Sequence, residues 1–223
     1  MSEAAAWAAL AGLGAFHGLN PAMGWLFAVA LGLQQGNRGG VLRALPPIAV
    51  GHALSVALVV AALAALRVFV DVLALQIGSA VALIGFGLYR LRARHAGKVG
   101  MRVSGGQLVL WSFLMATAHG AGLMLAPVLL EMPMDSMHAH HAHMMTSPAS
   151  EGAGNSLTAI VATALAVVAV HTLAMLVVAG AIAVIVYEWV GLAFLRRGWI
   201  NLDLVWVLAL IGAGVILLVT ALA

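Results

Sequence analysis

The 223-residue chain carries nine histidines. Four of them, His17, His52, His119 and His171, lie well inside otherwise apolar stretches. Neutral imidazole offers a nitrogen lone pair to Zn²⁺, Ni²⁺, Co²⁺, copper or iron. It also takes up and releases protons near neutral pH. A single histidine in such a place commonly does no more than hydrogen-bond a neighbouring helix. Four, set in two matching pairs, point to a shared functional site, because an ionisable group within a membrane is costly. Asp71, Glu131, Glu188 and Asp203 all fall near the ends of apolar stretches. Hard cations such as Mg²⁺ and Ca²⁺, which want oxygen ligands, are therefore poorly served. Any proton coupling would fall to the histidines.

Two of the four stand beside helix-breaking residues. The stretch "GAFHGLNPAMGW" runs from Gly14 to Trp25. Gly18, Asn20 and Pro21 are expected to interrupt the helix there, since proline removes a backbone donor and frees a carbonyl. His119 is followed by Gly120, Gly122 and Pro127. Irregular backbone is tolerated at membrane depth only where protein or a wet cavity surrounds it. Asn20 is a candidate fifth ligand or a partner of His17. A third group of ligand-type residues lies apart: His138, His140, His141 and His143 are flanked by Met137 and Met144 in "MHAHHAHMM". Short His-rich tracts suggest metal binding, and thioethers favour Cu(I). This segment reads as a loop that captures or receives metal.

The positioning elements follow from composition. Hydrophobic residues make up 64% and charged residues 8%, where a soluble domain carries about 25% charged residues. The chain is a polytopic membrane protein, so its net charge of +3 is no sign of nucleic-acid binding. With no cysteine, disulfides, thiolate metal sites and Fe–S clusters are excluded. The start MSEAAAW has no basic leader, so the first apolar stretch is expected to stay as an uncleaved span. Spans are expected at roughly 4–34, 41–66, 68–90, 107–130, 156–187 and 202–222, each near or above the ~20 residues a bilayer requires. Pro46 and Pro47 are expected to mark the start of the second. Nine of the ten Lys and Arg fall in the loops after spans one, three and five, Arg67 being the exception. The positive-inside rule then places both termini in the periplasm of a bacterial inner membrane. The tryptophans are expected mostly in belts at the span ends.

The chain also echoes itself. "ALIGFG" at Ala82–Gly87 recurs as "ALIGAG" at Ala209–Gly214, and "HG" at His17 recurs at His119. "HALSVAL" from His52 is answered by "HTLAMLV" from His171. The order is kept on matching spans, and three spans per half make the repeat inverted, as in many secondary transporters. The expected fold is an all-α membrane protein with six transmembrane helices in a 3+3 inverted-topology repeat, helices one and four being broken. Residues 1–93 would form the first repeat, 94–106 a basic cytoplasmic loop and 107–223 the second repeat, with the His/Met loop at 131–156 facing the periplasm.

Six spans, an inverted repeat and polar breaks in spans one and four resemble the small bacterial exporters of the lysine-exporter-like superfamily. In character the chain is most similar to the nickel/cobalt transporters and urease-accessory membrane proteins. Those families carry an HxxxxD-type motif in the first span. Here the stretch reads His17-Gly18-Leu19-Asn20-Pro21-Ala22 without the acid, which leaves nickel, cobalt, copper and zinc all open. The resemblance implies His17 and Asn20 as ligands; the other three histidines rest on the internal repeat. The expected function is transport of a transition-metal cation through a central site of His17, His52, His119 and His171. One alternative is a membrane redox protein holding haem b or copper through the same histidines. Others are an accessory protein passing metal to a periplasmic partner or metalloenzyme, and a solute exporter with histidine as proton shuttle.

Overall fold

Residues 2–92, 104–131, 152–190 and 202–222 are described by the structure, a computed structural model. The capturing loop, with His138, His140, His141, His143, Met137 and Met144, lies outside the described residues, as does most of the basic loop after span three. All regular structure among the described residues is helical.

The Ser2 side chain accepts from the Ala5 amide and starts α1, Glu3–Leu19. The helix stops where the sequence dictates. Asn20 precedes a proline, which disfavours the helical region, and takes φ −74°, ψ 121° instead. Its Oδ1 accepts from the Ala22 amide at 3.0 Å and caps a single 3₁₀ turn, Pro21–Met23. Gly24 then turns the chain at φ +114°, and α2 runs from Trp25 to Gln35. The Leu19 carbonyl freed by the break accepts from Trp25 Nε1 at 3.2 Å. Trp25→Phe should therefore lower stability by about 0.5–1.5 kcal/mol, the net worth of one hydrogen bond, as read by thermal unfolding in detergent.

Gly36 at φ +64° ends α2, and Asn37 caps α3, Arg38–Phe69. Pro46 and Pro47 lie inside α3 and do not mark its start. The amides they lack would have met the carbonyls of Leu42 and Arg43. Both of those residues are exposed near the helix start, where the loss is smallest. Next come α4, Val72–Arg92, and α5, Gly105–Ala118. Span four breaks at His119–Gly120. Gly120 has φ +67°, its amide reaches the Thr117 carbonyl, and the Ala121 amide reaches Ala116. This is a Schellman ending, which glycine alone adopts without strain. A 3₁₀ turn at Leu123–Leu125 leads into α6, Ala126–Glu131. The long α7, Gly152–Ile185, passes into a π turn at Val186–Val190, and α8 covers Leu202–Leu222.

Three expected break residues have other roles. Gly18 lies within α1, and a Cβ there would run into the Met175 backbone and Val178 of α7. Gly122 keeps a right-handed helical conformation and faces Val59. Both serve close packing, for which small residues are favoured between helices in lipid. Pro127 sits in the first turn of α6, where its missing N–H has no partner to lose. Pro21 and Gly120 do break helices.

Four helices are long and apolar enough to cross a membrane: α3, α4, α7 with its π turn, and α8. Counting α5 with its continuation to Glu131, bent by 48°, gives a fifth. Six spans with the first and fourth broken were expected; four to five meet the length requirement among the described residues, because the break after Leu19 divides the first into α1 and α2, each too short to cross alone. The most extensive packing joins α1 to α7, α3 to α5 and α4 to α8. Large apolar side chains such as Leu58, Leu165, Val177 and Val219 point outward, as lipid-facing surfaces do.

A buried histidine cluster at the helix break

His17 stands three residues before Asn20, and His52 and His171 occupy the middles of α3 and α7. All three are fully buried at 0% exposure. The backbones of α1 and α7 meet at Gly14, where any Cβ would overlap the His171 carbonyl. That approach brings the rings together. His17 and His171 lie 4.8 Å apart between ring centres, His17 and His52 5.5 Å, and His52 and His171 5.4 Å. The first two pairs meet edge to face, at 76° and 71°, and the third is stacked at 12°.

Backbone carbonyls fix two of the tautomers, since a carbonyl can only accept. His17 donates Nδ1–H to the Leu13 carbonyl at 2.8 Å. His171 donates Nδ1–H to Leu10 of α1 at 3.2 Å. Each then holds a lone pair on Nε2. Among the described residues, neither of those Nε2 atoms and neither nitrogen of His52 has a hydrogen-bond partner. Leaving a buried polar atom unpaired costs about 1–3 kcal/mol, so four in one place is an expensive arrangement for packing alone.

Imidazoles radiating from one ion at about 2.0–2.1 Å would have ring centres roughly 5–5.5 Å apart. The three rings are close to that spacing. Their aim is different: among the described residues no group of three or more His, Cys, Asp or Glu side chains is arranged to hold a metal ion.

His119, 1% exposed, is held differently. It donates Nδ1–H to the Met115 carbonyl at 2.8 Å, and its Nε2 accepts from Arg90 Nη2 at 3.2 Å. Its lone pair is thus already engaged. Trp206 lies against both His17 and His119, with ring centres 4.3 and 6.2 Å away, and donates Nε1–H to the His119 carbonyl at 2.7 Å. Asn20 uses its oxygen on the Ala22 amide and leaves Nδ2 without a partner. An amide nitrogen is a donor only, so the oxygen that shapes the break is also the one atom Asn20 could offer as a ligand.

Sequence reasoning passed over several of these residues. Arg90 looked like an orientation charge at the end of span three, yet it reaches back to the break in span four. Trp206 looked like part of an interfacial belt and is instead 2% exposed beside two histidines. Ser55, one turn from His52, bonds Thr117 at 2.9 Å and ties α3 to α5. Thr172, next to His171, has a buried hydroxyl without a partner. Only the polar character of Ser55, Thr117 and Thr172 within apolar spans gave a signal.

Fold and site together define a helical membrane protein with a cluster of buried imidazoles between its helices. No protein-family model matches the chain, and neither a curated protein nor a solved structure matches it.

Proposed function

We propose that this protein transports a transition-metal cation across a bacterial inner membrane through His17, His52 and His171. The carrying observation is the four ring nitrogens buried without hydrogen-bond partners in three touching histidines. Such nitrogens are suited to an ion that arrives and leaves. The spacing of the rings favours a bare ion over haem. Two imidazoles on opposite faces of one haem iron would have ring centres about 6 Å apart with a macrocycle between them, and each pair here is closer.

In this reading α1 and α2 together form a first, broken span, giving six. The halves are related by an inverted repeat, and the packing supports it. Exchanging spans one with four, two with five and three with six turns the α1–α7 pair into α5–α3 and returns α4–α8 to itself. Within α4–α8 the contact is reciprocal: Gly87 faces Ile211, and Gly214 faces Ile84. Gly87 corresponds to Gly214 and Ile84 to Ile211 in the sequence repeat. Leu83 and Leu210 are both fully buried, while Gly85 and Gly212 both face open space. Self-complementary contact of this kind is the mark of two-fold symmetry. His17 and His119 also correspond, each bonding the carbonyl four residues before it.

Movement of the halves about α4–α8 would expose the cluster alternately to each side. The basic loops would lie in the cytoplasm and both termini in the periplasm. The His/Met-rich segment between α6 and α7 would then exchange metal with a periplasmic metal-binding protein or metalloenzyme. Proton exchange at the imidazoles would supply the coupling. The test is flux into proteoliposomes carrying a metal-responsive dye. His17→Ala with His171→Ala should reduce the rate at least ~10-fold, as loss of metal-site groups does. Unchanged flux would refute the reading.

A further inference from the structure

The histidine cluster is short of negative charge, and this bears on which ion it takes. Resting on the metal-transport reading above, we infer that its substrate is a monovalent soft cation, Cu(I), with Ag(I) as its analogue. Every ligand atom in the cluster is neutral. His17 and His171 have their Nδ1 protons committed to Leu13 and Leu10, so each presents a lone pair and no charge. The carboxylates with described side chains are Glu3, Asp71, Glu131 and Glu188, all at or next to helix ends. The nearest charge along the polar chain is positive: Arg90 bonds His119, which shares Trp206 with His17.

A bound ion would keep its whole charge in a fully buried, low-dielectric site. The solvation penalty for transferring an ion grows with the square of its charge, and for a single charge it is already several kcal/mol after relaxation. A divalent ion faces about four times the penalty of a monovalent one, with no carboxylate among the described residues beside the cluster to offset it. Coordination number points the same way. Closed Zn²⁺ sites take four protein ligands, but the fourth histidine is engaged by Arg90. Three imidazoles suit an ion content with two or three ligands.

Soft donors lie one step along. Met175 is one helical turn beyond His171 on α7 and fully buried, and Met23, at the break after His17, is 1% exposed. Gly18, the residue after His17, packs directly on the Met175 backbone. Thioethers favour Cu(I), so buried methionines on the α2 side of the cluster fit the same cargo.

The experiment is equilibrium binding to the full-length protein in detergent, without oxygen. Ag(I), and Cu(I) in competition with a chromogenic chelator, are compared with Zn²⁺, Ni²⁺ and Co²⁺. Each is measured on the parent and on His52→Leu, with a melting curve to confirm folding. The difference between the two proteins isolates the cluster from the His/Met loop. Expected is one monovalent ion per chain whose affinity falls at least ~100-fold in the variant, with divalent binding unchanged. If instead a divalent ion binds the parent more tightly than Ag(I) or Cu(I) and is lost in the variant, the monovalent inference is wrong and the metal-transport reading stands. If no ion of either charge depends on His52, both fall. Should His52→Leu fail to fold, His52→Asn takes its place, with the same outcomes.

Discussion

Replacing His52 with leucine should abolish metal transport and make the protein more stable. The two effects share one cause. His52 is fully buried on α3, and neither ring nitrogen has a hydrogen-bond partner among the described residues. A leucine of similar size would keep contact with its neighbours and remove two unsatisfied polar atoms. Each such atom costs about 1–3 kcal/mol, and apolar replacement of buried polar groups is often neutral or stabilising. The unfolding temperature in detergent should therefore rise while flux in proteoliposomes falls at least ~10-fold. Function held at the expense of stability is the usual signature of a site. A histidine kept only for packing would give unchanged flux. A lower unfolding temperature would mean that His52 has a stabilising partner in the folded protein. His17 and His171 should show a smaller gain, because each already donates one proton to a carbonyl.

Gly14→Ala should give the opposite result on stability. In a helix this change normally stabilises by about 0.5–1 kcal/mol. At Gly14 the new methyl would overlap the His171 carbonyl and stand 3.1 Å from Ala174 Cβ. A backbone carbonyl within a long helix cannot swing aside, so α1 and α7 must separate. Overpacking of this kind costs about 1–3 kcal/mol. The separation also parts His17 from His171, whose Nδ1–H bonds Leu10 of α1. Loss of stability and loss of transport should appear together. Gly12, two residues earlier and on the other side of the same helix, is the control, since a Cβ there meets nothing within 4 Å. Gly12→Ala should stabilise slightly and leave transport unchanged. Equal behaviour of the two variants would show that the α1–α7 contact does not set the cluster geometry.

What the sequence by itself determined is local. It placed four histidines within apolar stretches, since hydropathy is summed along the chain. It placed a break at Asn20–Pro21, because a proline and the asparagine before it act on their own backbone; the turn at Gly24 came from the structure. It placed a second break beside His119, where Gly120 alone supplies the left-handed conformation. Rotation of one helix against another is not encoded in any such short stretch. Only the tertiary structure decided that His52 and His171 turn toward His17, and that Arg90 and Trp206 take His119. Gly18 and Gly122 showed the same limit from the other side: a glycine reads as a break until the neighbouring helix that needs its missing side chain is known. Which imidazoles meet depends on how α1, α3 and α7 settle around close glycine contacts, a balance of packing over the whole bundle.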